Sequence, residues 1–131
     1  MISVGNLRRI AQARLEDATV LRQARRYDGA VYLCGYAVEI GPKARICGTL
    51  KWNEYPSTAS EFQRYQSFRT HDLDVLLHLS GREAKIKGKY LAEWSSIASW
   101  DPGSRYRANG TTSASGAEDM LKSAKVLLAA L

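Results

Sequence analysis

Gly29-Ala-Val-Tyr-Leu-Cys-Gly-Tyr-Ala-Val-Glu39, continued by Ile40-Gly-Pro-Lys-Ala-Arg-Ile-Cys-Gly-Thr-Leu50, is apolar around most of a helical circumference. That pattern marks a helix buried on several sides and not one lying on a surface. Within it Ala30, Cys34, Ala37, Gly41, Ala44 and Gly48 step by four and three residues, a stripe of small side chains that lets another helix approach closely. Each interior glycine costs about 1 kcal/mol relative to alanine, so tight helix packing or dimerisation is expected to compensate. Pro42 removes one backbone hydrogen bond and predicts a kink over residues 38–42.

Working outward, Val4, Leu7, Ala11, Leu15, Ala18 and Leu21 recur at helical spacing and predict a first helix over 4–24. Asp28-Gly29 reads as the turn after it, with Asp28 capping the central helix. Periodicity fails over 51–69, apart from a short helical turn near 61–66. Thr70 then reads as the N-cap of a third helix that buries Leu73, Leu76 and Leu77. A fourth helix over 83–99 places Tyr90, Leu91, Trp94, Ile97 and Ala98 inward and leaves Lys85, Lys87 and Lys89 solvated. After the Asp101-Pro102-Gly103 break, Ser115 and Glu118 have capping-box spacing before a last helix carrying Ala117, Met120, Leu121, Ala124, Leu128 and Leu131 inward. Nothing reads as a strand. The expected fold is all-α, an up-and-down bundle of about five helices in a single domain spanning residues 1–131.

Hydrophobic residues make up 45% and charged residues 24% of the 131, globular proportions that argue against disorder. No apolar run approaches the roughly 20 residues that span a bilayer, and arginines occupy the place of a leader's apolar stretch. Both observations predict a cytoplasmic protein with no membrane partner. Cys34 and Cys47 have neither CxxC spacing nor nearby histidines, so free core thiols are expected and no metal site or cofactor is predicted. The net charge of +6 draws polyanions. Arg8, Arg9, Arg14, Arg22, Arg25 and Arg26 concentrate that excess near the start of the chain, where they serve equally well as a solvated face.

Asp28-Gly-Ala-Val-Tyr-Leu-Cys-Gly-Tyr-Ala-Val-Glu39, Lys43-Ala-Arg-Ile-Cys47, Thr70-His-Asp-Leu73, Trp100 and Arg105-Tyr106 together resemble the HEPN family over roughly residues 8–130. Pro42 departs from the resemblance, standing where an aliphatic residue is expected. The resemblance implies a helical bundle associated with nucleotidyltransferases, toxin systems and RNA processing. Its members act as ribonucleases, as partners of nucleotidyltransferases, or as interaction modules, so the fold alone does not choose among them. Ribonuclease members carry an Arg followed by four to six residues and a His toward the C-terminal part of the bundle. No histidine follows Arg105 in this chain, whereas Arg64 and His71 satisfy the string from the middle connection.

Metal-independent RNA cleavage needs a proton carrier for the 2′-hydroxyl or the leaving oxygen, and a cation for the charge that grows on phosphorus. His71 fits the first role, and Arg64 or Arg105 the second. His71 beside Asp72 equally fits a residue that orients a helix start. Tyr32, Tyr36, Glu39 and Lys43 form a second stripe on the central helix, either a satisfied polar seam, with Glu39 paired to Lys43, or one wall of a cleft. From Trp100 to Arg107 two arginines flank Tyr106. Arg105 and Arg107 can fork onto phosphate while Tyr106 or Trp100 stacks a base. Alternatively Arg105 pairs with Asp101 or Glu39 while Tyr106 packs inward. The expected function is binding of nucleotide or RNA phosphate by Arg105, Tyr106, Arg107, Trp100, Glu39, Lys43, His71 and Asp72. Cleavage by His71 and Arg64 is the alternative, and service as a non-catalytic partner of a nucleotidyltransferase is the third reading. A homodimer through the small-residue stripe or the terminal helices is expected.

Overall fold

The computed structural model describes residues 1–131. Six α-helices, α1 (Val4–Gln23), α2 (Tyr27–Leu50), α3 (Leu73–Leu79), α4 (Glu83–Lys89), α5 (Leu91–Ser95) and α6 (Ala114–Ala130), form an all-α bundle, joined by 3-10 turns at Glu61–Arg64, Gln66–Phe68 and Pro102–Tyr106. The central helix α2 packs against α1, α6 and α3, and α6 also meets α1 and α5. Contrary to the expectation of no strand, Ile2–Ser3 (β1) pairs antiparallel with Glu54–Tyr55 (β2), Ile2 opposite Tyr55 and Ser3 opposite Glu54. No helix is long and apolar enough to cross a membrane.

The small stripe is consumed inside the chain. Ala30, Cys34, Ala37, Gly41 and Ala44 are buried and only Gly48 is exposed, while a Cβ on Gly41 would sit 2.7 Å from Leu128 of α6. Tight packing against α6 therefore explains Gly41, whereas Gly48 faces solvent and a Cβ there would meet only Arg45 of its own helix at 4.0 Å. The buried part of the stripe is not open to a dimer. Helix α2 continues across Pro42 without interruption. Two core clusters flank it, a large one around Cys34, Val38, Leu77, Trp94 and Leu127 and a smaller one around Leu7, Ile46, Cys47, Tyr55 and Leu76. Both thiols are free and buried.

Several expected boundaries shift by a few residues, each for a local reason. The first turn is made by Arg25, left-handed at φ 62°, with Arg26 N–H donating to Leu21 O at 2.8 Å. This closes α1 three residues before Asp28-Gly29. Asp28 lies inside the first turn of α2 and does not cap it. Asp72, not Thr70, caps α3 by accepting from Val75 N–H at 3.1 Å, while Thr70 Oγ1 accepts from Asp72 N–H at 3.0 Å. Ser113, not Ser115, caps α6 by accepting from Gly116 N–H at 3.0 Å, which leaves Glu118 free to pair with Arg22 at 2.7 Å. The expected fourth helix breaks at Tyr90, φ −128° and ψ 34°, into α4 and α5. The break turns Leu91 outward, so it lies on the surface and not in the core as expected, while Trp94 and Ile97 remain inside.

Candidate functional site

The polar stripe of α2 is where the predicted site residues converge. Tyr32, Tyr36, Glu39 and Lys43 span about 16 Å of helix at 1.5 Å per residue. Glu39 is 2% exposed, and its Oε1 accepts from Lys43 Nζ and pairs with His71 Nδ1, both at 2.7 Å. Oε2 is buried and carries no hydrogen bond. The Glu39–Lys43 pair was legible from spacing; its third member, 32 residues along the chain, was not. His71 is held there by its neighbours, because Thr70 and Asp72 both spend their side chains on the turn that starts α3. With Nδ1 turned to Glu39, Nε2 is the ring nitrogen left to meet a ligand, and 61% of the side chain is exposed. Asp72 itself is thus a positioning residue; its Oδ1 is engaged with Val75.

Arg64 stands apart. It is exposed in the 3-10 turn Glu61–Arg64 and forms no ion pair. The arginine that shares a cavity wall with His71 and Lys43 is Arg69, which sequence reasoning passed over because no motif marks it. Tyr55 lines the same cavity, its hydroxyl donating to Phe68 O at 2.8 Å and its ring 5.8 Å from Lys43 Nζ. Burial first, then the nearby Cys47 and Glu39, pushes the Tyr55 phenol up, so it stays a hydrogen-bond donor.

At the other end of the stripe, Tyr36 packs edge-on against Tyr32 at 5.2 Å between ring centres and against Trp100 at 5.0 Å. Burial, with the Tyr32 hydrogen bond next, pushes the Tyr36 phenol up to about 12. Trp100 is 7% exposed, lies in the main core and faces the bare backbone of Gly35. It therefore cannot stack an incoming base, and its expected ligand role is corrected to a packing one. Arg105 donates to Pro102 O at 3.1 Å and covers the Tyr106 ring at 4.6 Å, pairing with neither Asp101 nor Glu39. The Tyr106 phenol, and after it Tyr32, holds the Arg105 guanidinium above its ordinary value. Tyr106 is 80% exposed and not packed inward, and Arg107 is exposed beside it.

Asp28 fastens the loop that follows these residues. Its carboxylate accepts from Gly110 N–H at 2.6 Å and Thr112 N–H at 3.0 Å. Those bonds, Gly110 first and then Thr112, hold it below the ordinary 3.8. A lowered folded value means that the anchoring is complete above the ordinary aspartate range and is lost as pH falls through the folded value. Asp28→Ala should leave the bundle intact and make the Gly110 and Thr112 amides exchange with solvent severalfold faster, since both lose the carboxylate they donate to. Hydrogen exchange read by NMR checks this, and the wild type should approach the variant's rates only below the ordinary aspartate range.

Compared with known proteins, the chain gives no significant match to any protein-family model, curated protein or solved structure.

Proposed function

We propose that this chain is a HEPN-like domain that binds the phosphates of a nucleotide or single-stranded RNA along the polar face of α2. The observation that carries the reading is the alignment on one face of Arg105 beside Tyr32, then Tyr36, then the Glu39, Lys43 and His71 cluster with Arg69 sharing its cavity. Cations at both ends with aromatic rings between them suit a strand whose backbone is held electrostatically and whose bases meet π-faces without sequence readout. The exposed Tyr106, already covered on one side by Arg105, offers the other side to a base. The overall charge of +6 supports the same partner class.

Fluorescence anisotropy with labelled single-stranded RNA across a salt series tests this. Three to four phosphate contacts should give a slope of log affinity against log salt of about −2 to −3, and Arg105→Ala with Arg107→Ala should flatten it by about 0.7 per lost contact. Tyr106→Ala should weaken binding by about 1–3 kcal/mol without changing the slope. Unchanged affinity in the double arginine variant overturns the reading.

A second reading, cleavage of the bound strand without metal, is favoured by the Glu39–His71 bond. A carboxylate on Nδ1 fixes the ring and leaves Nε2 to accept a proton. In that reaction Nε2 takes the proton of the 2′-hydroxyl, the 2′-oxygen bonds to phosphorus, and the P–O5′ bond breaks. The products are a 2′,3′-cyclic phosphate and a 5′-hydroxyl, whose oxygen is protonated from water.

A further inference from the structure

Beside the His71 cluster lies a cavity with one apolar and one charged side. It measures about 520 Å³, within the range of small-molecule sites, and lies between α1, α2 and the 55–71 segment. Its apolar wall includes Ile2, Leu7, Ile10 and Ile40. The polar groups along that wall are already spoken for: Ser57 Oγ accepts from the N-terminal amine at 3.0 Å and lies 3.3 Å from Glu61, Tyr55 donates to Phe68 O, and Thr70 accepts from Asp72 N–H. With those groups tied into the fold and four aliphatic side chains lining the space, the part of a ligand that enters is best matched by an aliphatic chain. The opposite character appears where Lys43, Arg69 and His71 line the same cavity. Lys43 and Arg69 bring two positive charges, Glu39 behind Lys43 returns one negative, and no ion pair engages Arg69. The uncompensated charge matches one anion.

We propose that this cavity binds an amphipathic monocarboxylate, its aliphatic tail against Ile2, Leu7, Ile10 and Ile40 and its carboxylate on Arg69, with Lys43 and His71 beside it. The site shares Lys43, Arg69 and His71 with the phosphate track but does not depend on it, since the apolar wall has no use in holding a backbone.

Titration calorimetry of the full chain with sodium hexanoate, octanoate and decanoate, each below its micelle concentration, tests the proposal in the absence of RNA. One molecule per chain is expected, with affinity rising about fourfold per added methylene. Decyltrimethylammonium, with the same tail and the opposite charge, should not bind. Arg69→Gln should weaken decanoate at least about tenfold through loss of a charge-assisted contact. Ile10→Trp, at a position 37% exposed and therefore tolerant of size, should fill the cavity and abolish binding while its melting curve stays that of the wild type. The proposal is overturned if decanoate produces no saturable heat, if the cationic amphiphile binds as well, or if affinity is indifferent to chain length. A chain that sediments as a dimer and becomes monomeric in Ile10→Trp would also overturn it, the cavity then being covered by a second copy. RNA anisotropy on the same Ile10→Trp protein separates the two readings, because this variant leaves every cation of the phosphate track in place.

Discussion

Gly35→Ala should lower the melting temperature by about 10–20 °C, the largest effect expected of any single methyl group in this chain. A Cβ built on Gly35 falls 2.0–2.2 Å from three atoms of the Trp100 indole, a separation at which something must move. The obstacle is a flat ring that is 7% exposed and part of the main core, not the far end of a flexible side chain. Overpacking alone costs about 1–3 kcal/mol, and displacing the indole forfeits part of the roughly 3–5 kcal/mol that removing such a ring costs. A total near 3–4 kcal/mol converts to the stated shift at about 3–5 °C per kcal/mol for a domain of this size. Gly88→Ala is the control of opposite sign. A Cβ there meets nothing within 4 Å, so the helical preference of alanine should raise stability by up to about 1 kcal/mol. Thermal melts followed by circular dichroism decide it. A loss under about 3 °C for Gly35→Ala would mean that Trp100 can vacate its place at little cost.

Under the cleavage reading, His71→Ala should slow hydrolysis of single-stranded RNA in excess chelator by about 10²–10⁴-fold, the range general acid–base groups contribute. The variant is informative because His71 is largely exposed and its one side-chain hydrogen bond is to Glu39, so the fold should survive. Glu39→Gln separates chemistry from architecture. It keeps the shape and one acceptor for Lys43, yet removes the charge that orients the imidazole. An intermediate loss in rate is expected, with RNA affinity no weaker than that of the wild type, since the variant removes a negative charge beside the strand. Product analysis should find a 2′,3′-cyclic phosphate. If the wild-type protein leaves the RNA intact while still binding it in a salt-dependent manner, cleavage is excluded and the binding reading is kept.

How far the sequence carried these conclusions depended on how local each determinant is. Leu7, Ala11, Leu15 and Ala18 repeat every three or four residues and so announced α1, and the dense apolar run announced α2 as the central element. Caps were less secure, because Ser113 and Ser115, or Thr70 and Asp72, are equally able acceptors two residues apart, and only the geometry of the incoming chain selects one. The break at Tyr90 has no proline to mark it. Within the site, Glu39 and Lys43 share a helix face and were visible together. His71 reaches Glu39 only through the irregular 51–72 connection, whose path no periodicity encodes. Trp100 was misread for the same reason: an aromatic ring beside a basic loop resembles a stacking platform until its partner is known. The signal that would have corrected this was Gly35 itself, a glycine beside the small stripe and not in it, which implies one bulky ring pressed against that spot.

The two buried thiols make α2 its own strain gauge. Cys34 belongs to the larger cluster and Cys47 to the smaller, and burial pushes the Cys34 thiol up to about 12 and raises that of Cys47 as well. Neither sulfur can react with an alkylating reagent until its own half of the molecule opens. The two labelling rates are therefore separate clocks: equal rates mean that the bundle opens as one cooperative unit, and a faster Cys47 means that the end bearing His71 breathes by itself.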